Sequence, residues 1–306
     1  MIKLANTDLT IYPLCLGGNV FGYSADKDSS EAVLTFYADN GGNFIDTADM
    51  YSQWAPGHIG GESETIIGNW MKKRGNRSQM IIATKVGKLD TKPGLSPSNI
   101  ISACEDSLKR LGSDYIDIYY SHQDDLDTPI EQTLGAYDSL IKAGKVRYIA
   151  ASNFTHERLQ ESLDISKELN LASYIASQDQ YNLMEREYES TLRDVLEKNN
   201  LSQIPFYGLA RGFLTGKYRP GASVASVRAA GVSNAYGNER GWTMLEKLDQ
   251  IAKERKTSIA SISLAWLRAQ RTVAAPIASA TKLEQIKEIM PIVELSSDEL
   301  QRLTNS

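Results

Sequence analysis

The sequence predicts an α/β fold, a single (β/α)8 TIM barrel occupying residues 1–306 as one domain, with an N-terminal β-hairpin and extra helices and loops. Three observations predict it. Eight short β-rich apolar runs alternate with longer amphipathic segments. The interval between runs is roughly 30 residues, the size of one βα unit, and eight units fill a barrel of about 250 residues with room for insertions. The length of 306 residues, with 42% hydrophobic and 8% aromatic content, supports a large core.

Taken in order, Lys3-Leu4 and Leu9-Thr10-Ile11 flank the polar turn Ala5-Asn6-Thr7-Asp8 and read as a hairpin able to plug the barrel bottom. The strand candidates follow as YPLCLG (12–17), NFIDTA (43–48), QMIIATKV (79–86), YIDIYY (115–120), KVRYIAAS (145–152), YIASQ (174–178), QIPFYG (203–208) and TVAAPIAS (272–279). The segments between them have helical spacing, as in Ile130, Leu134, Tyr137 and Ile141. Ser96-Pro97 and Thr128-Pro129 mark helix starts, and Gly41-Gly42, Gly75, Gly112 and Gly144 mark helix ends. The interval from Tyr207 to Thr272 is long. Its Gly/Ser/Ala-rich stretch, Pro220 to Gly241, is expected to be an irregular lid or disordered, ahead of helices around Met244–Glu254 and Ile259–Arg268.

Rival classes lack their markers. A doubly wound dinucleotide fold wants G-x-G-x-x-G after its first strand, and Gly17-Gly18-Asn19-Val20-Phe21-Gly22 does not fit that spacing. His58, His122 and His156 are far apart and form no H-x-H or H-E-x-x-H, so no metal is assigned. A formal charge of −5 leaves no basic footprint for nucleic acid. No apolar run approaches the roughly 18 residues of a membrane span, and the first residues lack a signal-peptide core, so a cytoplasmic location is expected. Cys15 and Cys104 lie inside apolar segments and read as buried hydrophobes of a reducing compartment. The sequence assigns no oligomeric state.

Four residues lie at or just past the ends of strand candidates: Asp46 and Tyr51 in FIDTADMY, Lys85 in IIATKVG and His122 in YIDIYYSH. In a barrel these ends converge on one face. Singly each has a bland reading, as a turn cap, a core filler or a satisfied imidazole. Lys85 is harder to place blandly, because a buried ammonium needs an anion, and Asp46 is at hand. Together they suit a proton-donating site for carbonyl reduction. On this reading the Lys85 ammonium lowers the pKa of Tyr51, the general acid; Asp46 holds Lys85, and His122 positions or polarises the carbonyl oxygen.

With these four, the chain resembles the aldo-keto reductases from end to end. The same likeness runs through Gly61-Glu62-Ser63-Glu64 with Ile67-Gly68, through AGKVRYIAASNF over 143–154, and through GFLTGKY over 212–218. The resemblance implies a nicotinamide cofactor bound without a Rossmann fold, with Ser152, Asn153 and Gln178 at the positions that hold its carboxamide. Phe206 falls where a ring stacks on the nicotinamide, with Tyr207 one residue on as the alternative. The loop Gly208, Leu209, Ala210, Arg211 and Gly212 is expected near the pyrophosphate. Ser279, Thr281 and Lys282 stand where relatives grip a 2′-phosphate, whereas Gln285 replaces an Arg and Ile289 a common Asn. NADP(H) is therefore the expected cofactor, with NAD(H) possible.

The implied substrate is a small carbonyl compound, set by loops 54–60, 20–23 and 219–241, with Phe21 and Trp54 expected as an apolar wall. The alternative within the resemblance is an NADP(H)-sensing regulatory subunit like the channel-associated β subunits.

Overall fold

In a computed structural model, which describes residues 1–222, 224 and 229–305, the expected runs form one eight-stranded parallel sheet. A hairpin of β1 (Ile2–Lys3) and β2 (Thr10–Ile11) comes first. The barrel strands are β3 (Cys15–Gly17), β4 (Phe44–Asp46), β5 (Ile81–Val86), β8 (Ile116–Ser121), β9 (Val146–Ser152), β10 (Tyr174–Gln178), β11 (Ser202–Gln203) and β12 (Ile277–Ala278). A second small hairpin, β6 (Lys88–Leu89) with β7 (Lys92–Pro93), follows β5.

The sheet order is β11-β10-β9-β8-β5-β4-β3-β12. Backbone hydrogen bonds join its two edges: Gln203 donates to Thr272 at 2.8 Å, Ala274 to Gln203 at 2.9 Å and Ile277 to Pro205 at 2.9 Å. The last two strands are shorter than their apolar runs. Pro205 and Pro276 have no N–H to continue a ladder, although both carbonyls still accept bonds from neighbouring strands.

The helices are α1 (Lys27–Asp39), α2 (Glu62–Arg74), α3 (Pro97–Leu111), α4 (Ile130–Lys142), α5 (His156–Glu168), α6 (Leu192–Lys198), α7 (Ala229–Tyr236), α8 (Glu239–Arg255), α9 (Ile259–Arg268), α10 (Leu283–Ile289) and α11 (Ser297–Thr304). Their ends follow local chemistry. Ser96 caps α3 with Pro97 at its first position, and Gly75 and Gly112 close α2 and α3 in the left-handed conformation. In the Pro220–Gly241 stretch, residues 223 and 225–228 lie outside the described residues. The part expected to be irregular nonetheless carries α7 and the start of α8, where the Asn238 side chain accepts the Gly241 amide at 3.0 Å.

Two apolar clusters result. The larger lies between sheet and helices, with Trp70, Tyr119, Tyr137, Phe213 and Trp266 buried in it. The smaller fills the barrel with Cys15, Phe44, Ile81, Ile118, Tyr120, Ile175 and Ile204, and it includes Leu4, Leu9 and Ile11 of the hairpin region. The hairpin therefore closes the bottom, as its sequence suggested. Both cysteines are free and buried, and burial pushes the Cys104 thiol up to about 12. No helix among the described residues is long and apolar enough to cross a membrane.

Candidate active site

The three expected strand ends converge. Asp46 is the last residue of β4, Lys85 the fifth of β5, and His122 follows β8 directly, its amide donating to the Val86 carbonyl at 2.9 Å. Lys85 is fully buried. Its Nζ donates to both Asp46 carboxylate oxygens at 2.6 Å, to the Thr47 carbonyl at 2.8 Å and lies 3.0 Å from the Tyr51 hydroxyl. The Tyr51 hydroxyl in turn donates to Asp46 Oδ2 at 3.1 Å.

The electrostatics differ from the expectation in one respect. Burial first, and then the charge and hydrogen bond of Asp46, hold the Tyr51 phenol well above its ordinary range. The expected lowering by Lys85 does not prevail, because burial and the Asp46 carboxylate both favour the neutral phenol. The consequence favours donation all the same, since the hydroxyl keeps its proton across the neutral range. His122 is shifted the other way. Burial, then Lys85, then Lys88 hold its imidazole well below its usual range, so it is neutral and carries one N–H. Its ring meets Tyr51 edge-on with centroids 6.1 Å apart, and its Nδ1 is buried without a hydrogen-bond partner among the described residues.

Behind this group, Gln178 Nε2 donates to Asp46 Oδ1 at 3.0 Å, and the Ser152 hydroxyl donates to the Gln178 carbonyl at 2.8 Å. Asn153 sits at φ 58° in the left-handed region, where its side-chain Nδ2 donates to the His122 carbonyl and to Ser152 Oγ, both at 2.9 Å. Two acids that sequence reasoning missed underlie these residues. Asp179 accepts the Asn153 amide at 3.2 Å and the Ser177 hydroxyl at 2.5 Å, and burial raises its pKa to about 6. Asp49, two residues before Tyr51, is 1% exposed, and among the described residues neither of its carboxylate oxygens has a well-formed hydrogen bond. Burial and then the nearby Glu64 raise its pKa to about 7, against weaker pulls from Arg110 and the Met50 amide. Their adjacency to Gln178 and Tyr51 was the only signal available in the sequence.

The Gly61-Glu62-Ser63-Glu64 motif acts as a clamp. Ser63 donates to the Gly18 carbonyl and accepts from Thr47, both at 2.8 Å, while buried Glu64 accepts Thr84 Oγ1 and Arg110 Nε, both at 2.6 Å. Gly18 cannot carry a side chain there, because a Cβ would sit 2.8 Å from Ser63 Oγ and 2.9 Å from the Asp46 carbonyl. Strand ends β3, β4 and β5 are thus tied to α2.

Of the two residues expected to form an apolar wall, Trp54 is 43% exposed and packs beside Tyr51 with centroids 6.1 Å apart. Phe21 is fully buried and its carbonyl anchors Ser52 Oγ at 2.8 Å, so it holds its loop instead of facing the mouth. Tyr23 is 37% exposed and edge-on to Trp54 at 5.9 Å.

The remaining cofactor residues proposed from resemblance lie on the loops after β11 and β12. Phe206 packs on the inner cluster, whereas Tyr207 is exposed at φ 53° with the Arg211 guanidinium 4.7 Å over its ring. Gly208 is buried where a Cβ would meet Leu267 at 3.0 Å, and Leu209 packs on the outer core. Ala210, Arg211 and Gly212 are successively left-handed, with φ 46°, 57° and 98°. On the β12 side, Ser279 donates to Asn19 Oδ1 at 2.6 Å, and the Thr281 amide and hydroxyl donate to Gln285 Oε1 at 2.8 and 3.1 Å. Lys282 is exposed. These groups fit a nicotinamide dinucleotide: carboxamide partners beside the acid, an exposed ring and guanidinium, and a lysine with hydroxyls.

Comparisons with known proteins agree with the fold. The model of the aldo/keto reductase family matches residues 13–306. The chain is 32% identical to the uncharacterized oxidoreductase YrpG of Bacillus subtilis, over 99% of this chain and 94% of that protein. It is 31% identical to a probable voltage-gated potassium channel subunit beta of Oryza sativa, over 96% and 90%. It is also 31% identical to the L-glyceraldehyde 3-phosphate reductase of Escherichia coli, over 88% and 80%.

Proposed function

The chain belongs to the aldo/keto reductase family, and from that premise we propose that it reduces an aldehyde or ketone to an alcohol with NADP(H), Tyr51 being the general acid. The supporting observation is the single Lys85 ammonium that engages Asp46, the Thr47 carbonyl and the Tyr51 hydroxyl at once. That arrangement fixes the phenol in one place. A bound reduced nicotinamide supplies the hydride that reaches the carbonyl carbon.

The chain's own groups handle the oxygen. Tyr51 gives its proton to the oxygen as charge develops there, and the tyrosinate left behind is stabilised by the ammonium 3.0 Å away. The neutral His122 N–H positions that oxygen. Ser152, Asn153 and Gln178 orient the cofactor amide, and because Gln178 also bonds Asp46, cofactor position and acid position are coupled. Trp54 and Tyr23 limit water at the mouth.

NADP(H) over NAD(H) is inferred from Lys282 with the Ser279 and Thr281 hydroxyls. A regulatory subunit that senses the cofactor is the other reading, supported by the channel-subunit relatives. Turnover decides between them. The wild type should oxidise NADPH with generic aldehydes, and Tyr51→Phe should lower kcat about 10²–10⁴-fold with cofactor affinity unchanged. Loss of less than about tenfold in kcat would remove Tyr51 from its role.

A further inference from the structure

The site holds one cation to which the reaction so far gives no task. Lys88 lies three residues beyond Lys85, where the chain leaves β5 at Gly87, φ 110°, and enters the β6–β7 hairpin. It is half-buried. Among the described residues no carboxylate forms an ion pair with it. Asp46 is committed to Lys85, Asp90 to the Gln53 amide at 3.3 Å, and Asp125 to the Leu95 amide at 2.6 Å and Thr128 Oγ1 at 2.8 Å.

The charge that acts on Lys88 is another cation, Lys85, and Lys88's own field reaches His122. Burial and then that like charge hold the Lys88 ammonium below its ordinary range. A half-buried cation with a like charge near it and no counter-ion is unfavourable in the empty site, and an incoming anion would offset that cost.

Which anion it meets follows from topology. In the sheet order, β5 is separated from β11 by β8, β9 and β10, and from β12 by β4 and β3. Lys88 therefore stands across the barrel from the loops that carry Arg211 and Lys282. Cofactor phosphates held by those loops are on the far side, whereas the Tyr51 hydroxyl is bonded to Lys85 on Lys88's own strand end.

We propose that Lys88 binds an anionic group, carboxylate or phosphate, carried by the carbonyl substrate a few bonds from its reacting carbon, so that acidic aldehydes or ketones are the preferred substrate class. This rests on the reductase reading above. The substrate's apolar part would lie against Trp54 and Tyr23, and its carbonyl oxygen at Tyr51 and His122. An acidic protein of net charge −5 would otherwise repel such substrates, which gives a local cation a defined use.

The test compares matched pairs, benzaldehyde with 4-carboxybenzaldehyde and D-glyceraldehyde with its 3-phosphate, in wild type, Lys88→Met and Lys88→Arg. The wild type should favour at least one anionic member about tenfold or more in kcat/KM, and which pair shows it separates carboxylate from phosphate. Lys88→Met should reduce that ratio about tenfold, chiefly through KM, and Lys88→Arg should retain most of it. No anionic preference in either pair, or a Lys88→Met ratio equal to wild type, would overturn the proposal.

Calorimetric binding of benzyl alcohol and 4-carboxybenzyl alcohol needs no turnover. If no aldehyde is reduced yet the carboxylated alcohol binds more tightly in a Lys88-dependent way, the reductase reading falls and takes the substrate class with it, while Lys88 stands as the anion-binding residue. Equal affinity of the two alcohols for the wild type, with no aldehyde reduced, would overturn both.

Discussion

Two buried carboxylates, Asp46 and Asp117, stand at opposite ends of the barrel, each 1% exposed and each held by cations. At the bottom, Asp117 takes Arg77 and Arg147 at 2.8 Å and the Ile82 amide at 3.0 Å, and Arg147 continues to Asp8 of the N-terminal turn at 2.9 Å. Each of these charges has an opposite partner. At the top, Asp46 and Lys85 satisfy one another, but around them remain a protonated phenol and, among the described residues, an imidazole Nδ1 without a hydrogen-bond partner and a Lys88 without an ion pair. Burial and ion pairing alone therefore do not mark a site. What marks it is a satisfied pair beside a proton-bearing phenol and polar groups, His122 Nδ1 and Lys88, that have no partner among the described residues.

The sharpest test of that contrast is to break both pairs. Lys85→Met should lower kcat by at least about 10²-fold and stability by roughly 3 kcal/mol, since Asp46 is left buried without its cation. Asp117→Asn should cost stability of the same order, by loosening Arg77 and Arg147, while kcat per folded molecule stays near wild type. Urea unfolding and activity of the folded fraction separate the two. A comparable fall in kcat for Asp117→Asn would make the bottom cluster part of the catalytic machinery and dissolve the comparison.

Asp49 sharpens it further, as a buried acid beside the site with no ion-pair partner among the described residues. Its folded pKa is raised from 3.8 to about 7, so the folded state keeps a proton that the unfolded chain releases. The stability this confers is complete below about pH 4 and is lost as pH rises through 7, an upper bound of about 4 kcal/mol. Asp49→Asn should flatten the difference in urea midpoint between pH 4 and pH 8 relative to wild type, and leave the variant the more stable of the two at pH 8. Parallel pH profiles for the two proteins would show that Asp49 is paired in solution.

The barrel was legible in the sequence because each βα unit carries its own local signals, down to the Ser96 cap and the left-handed Gly112. The four central residues were legible because strand ends are fixed once strands are found. Three things were not. The direction of the Tyr51 shift depends first on how deeply the phenol is buried and then on the Asp46 carboxylate beside it, neither of which spacing reveals. The burial of Phe21 depends on Ser52 folding back onto its carbonyl. The isolation of Asp49 and Lys88 depends on where neighbouring charges do not go, and an absent partner leaves no motif.

The smallest effect concerns the β12 loop, where the opposite pattern holds: its donors are already occupied. Gln285 Oε1 accepts both the amide and the hydroxyl of Thr281, two donors that a 2′-phosphate would otherwise take. NADP(H) binding must therefore displace that side chain, while Lys282 stands exposed to meet the phosphate. A charge-assisted bond is worth roughly 1.5–3 kcal/mol, and displacing two neutral bonds offsets part of it, which leaves a preference for NADP(H) of about tenfold. Lys282→Ala should weaken NADPH binding by about that factor and barely change NADH. Gln285→Arg acts twice, freeing Thr281 and adding a planar multidentate donor, so it should raise NADPH affinity by more than the lysine alone supplies. Fluorescence titration of both cofactors measures each step, and wild-type affinity for NADH equal to or above that for NADPH would show that the loop does not read the phosphate.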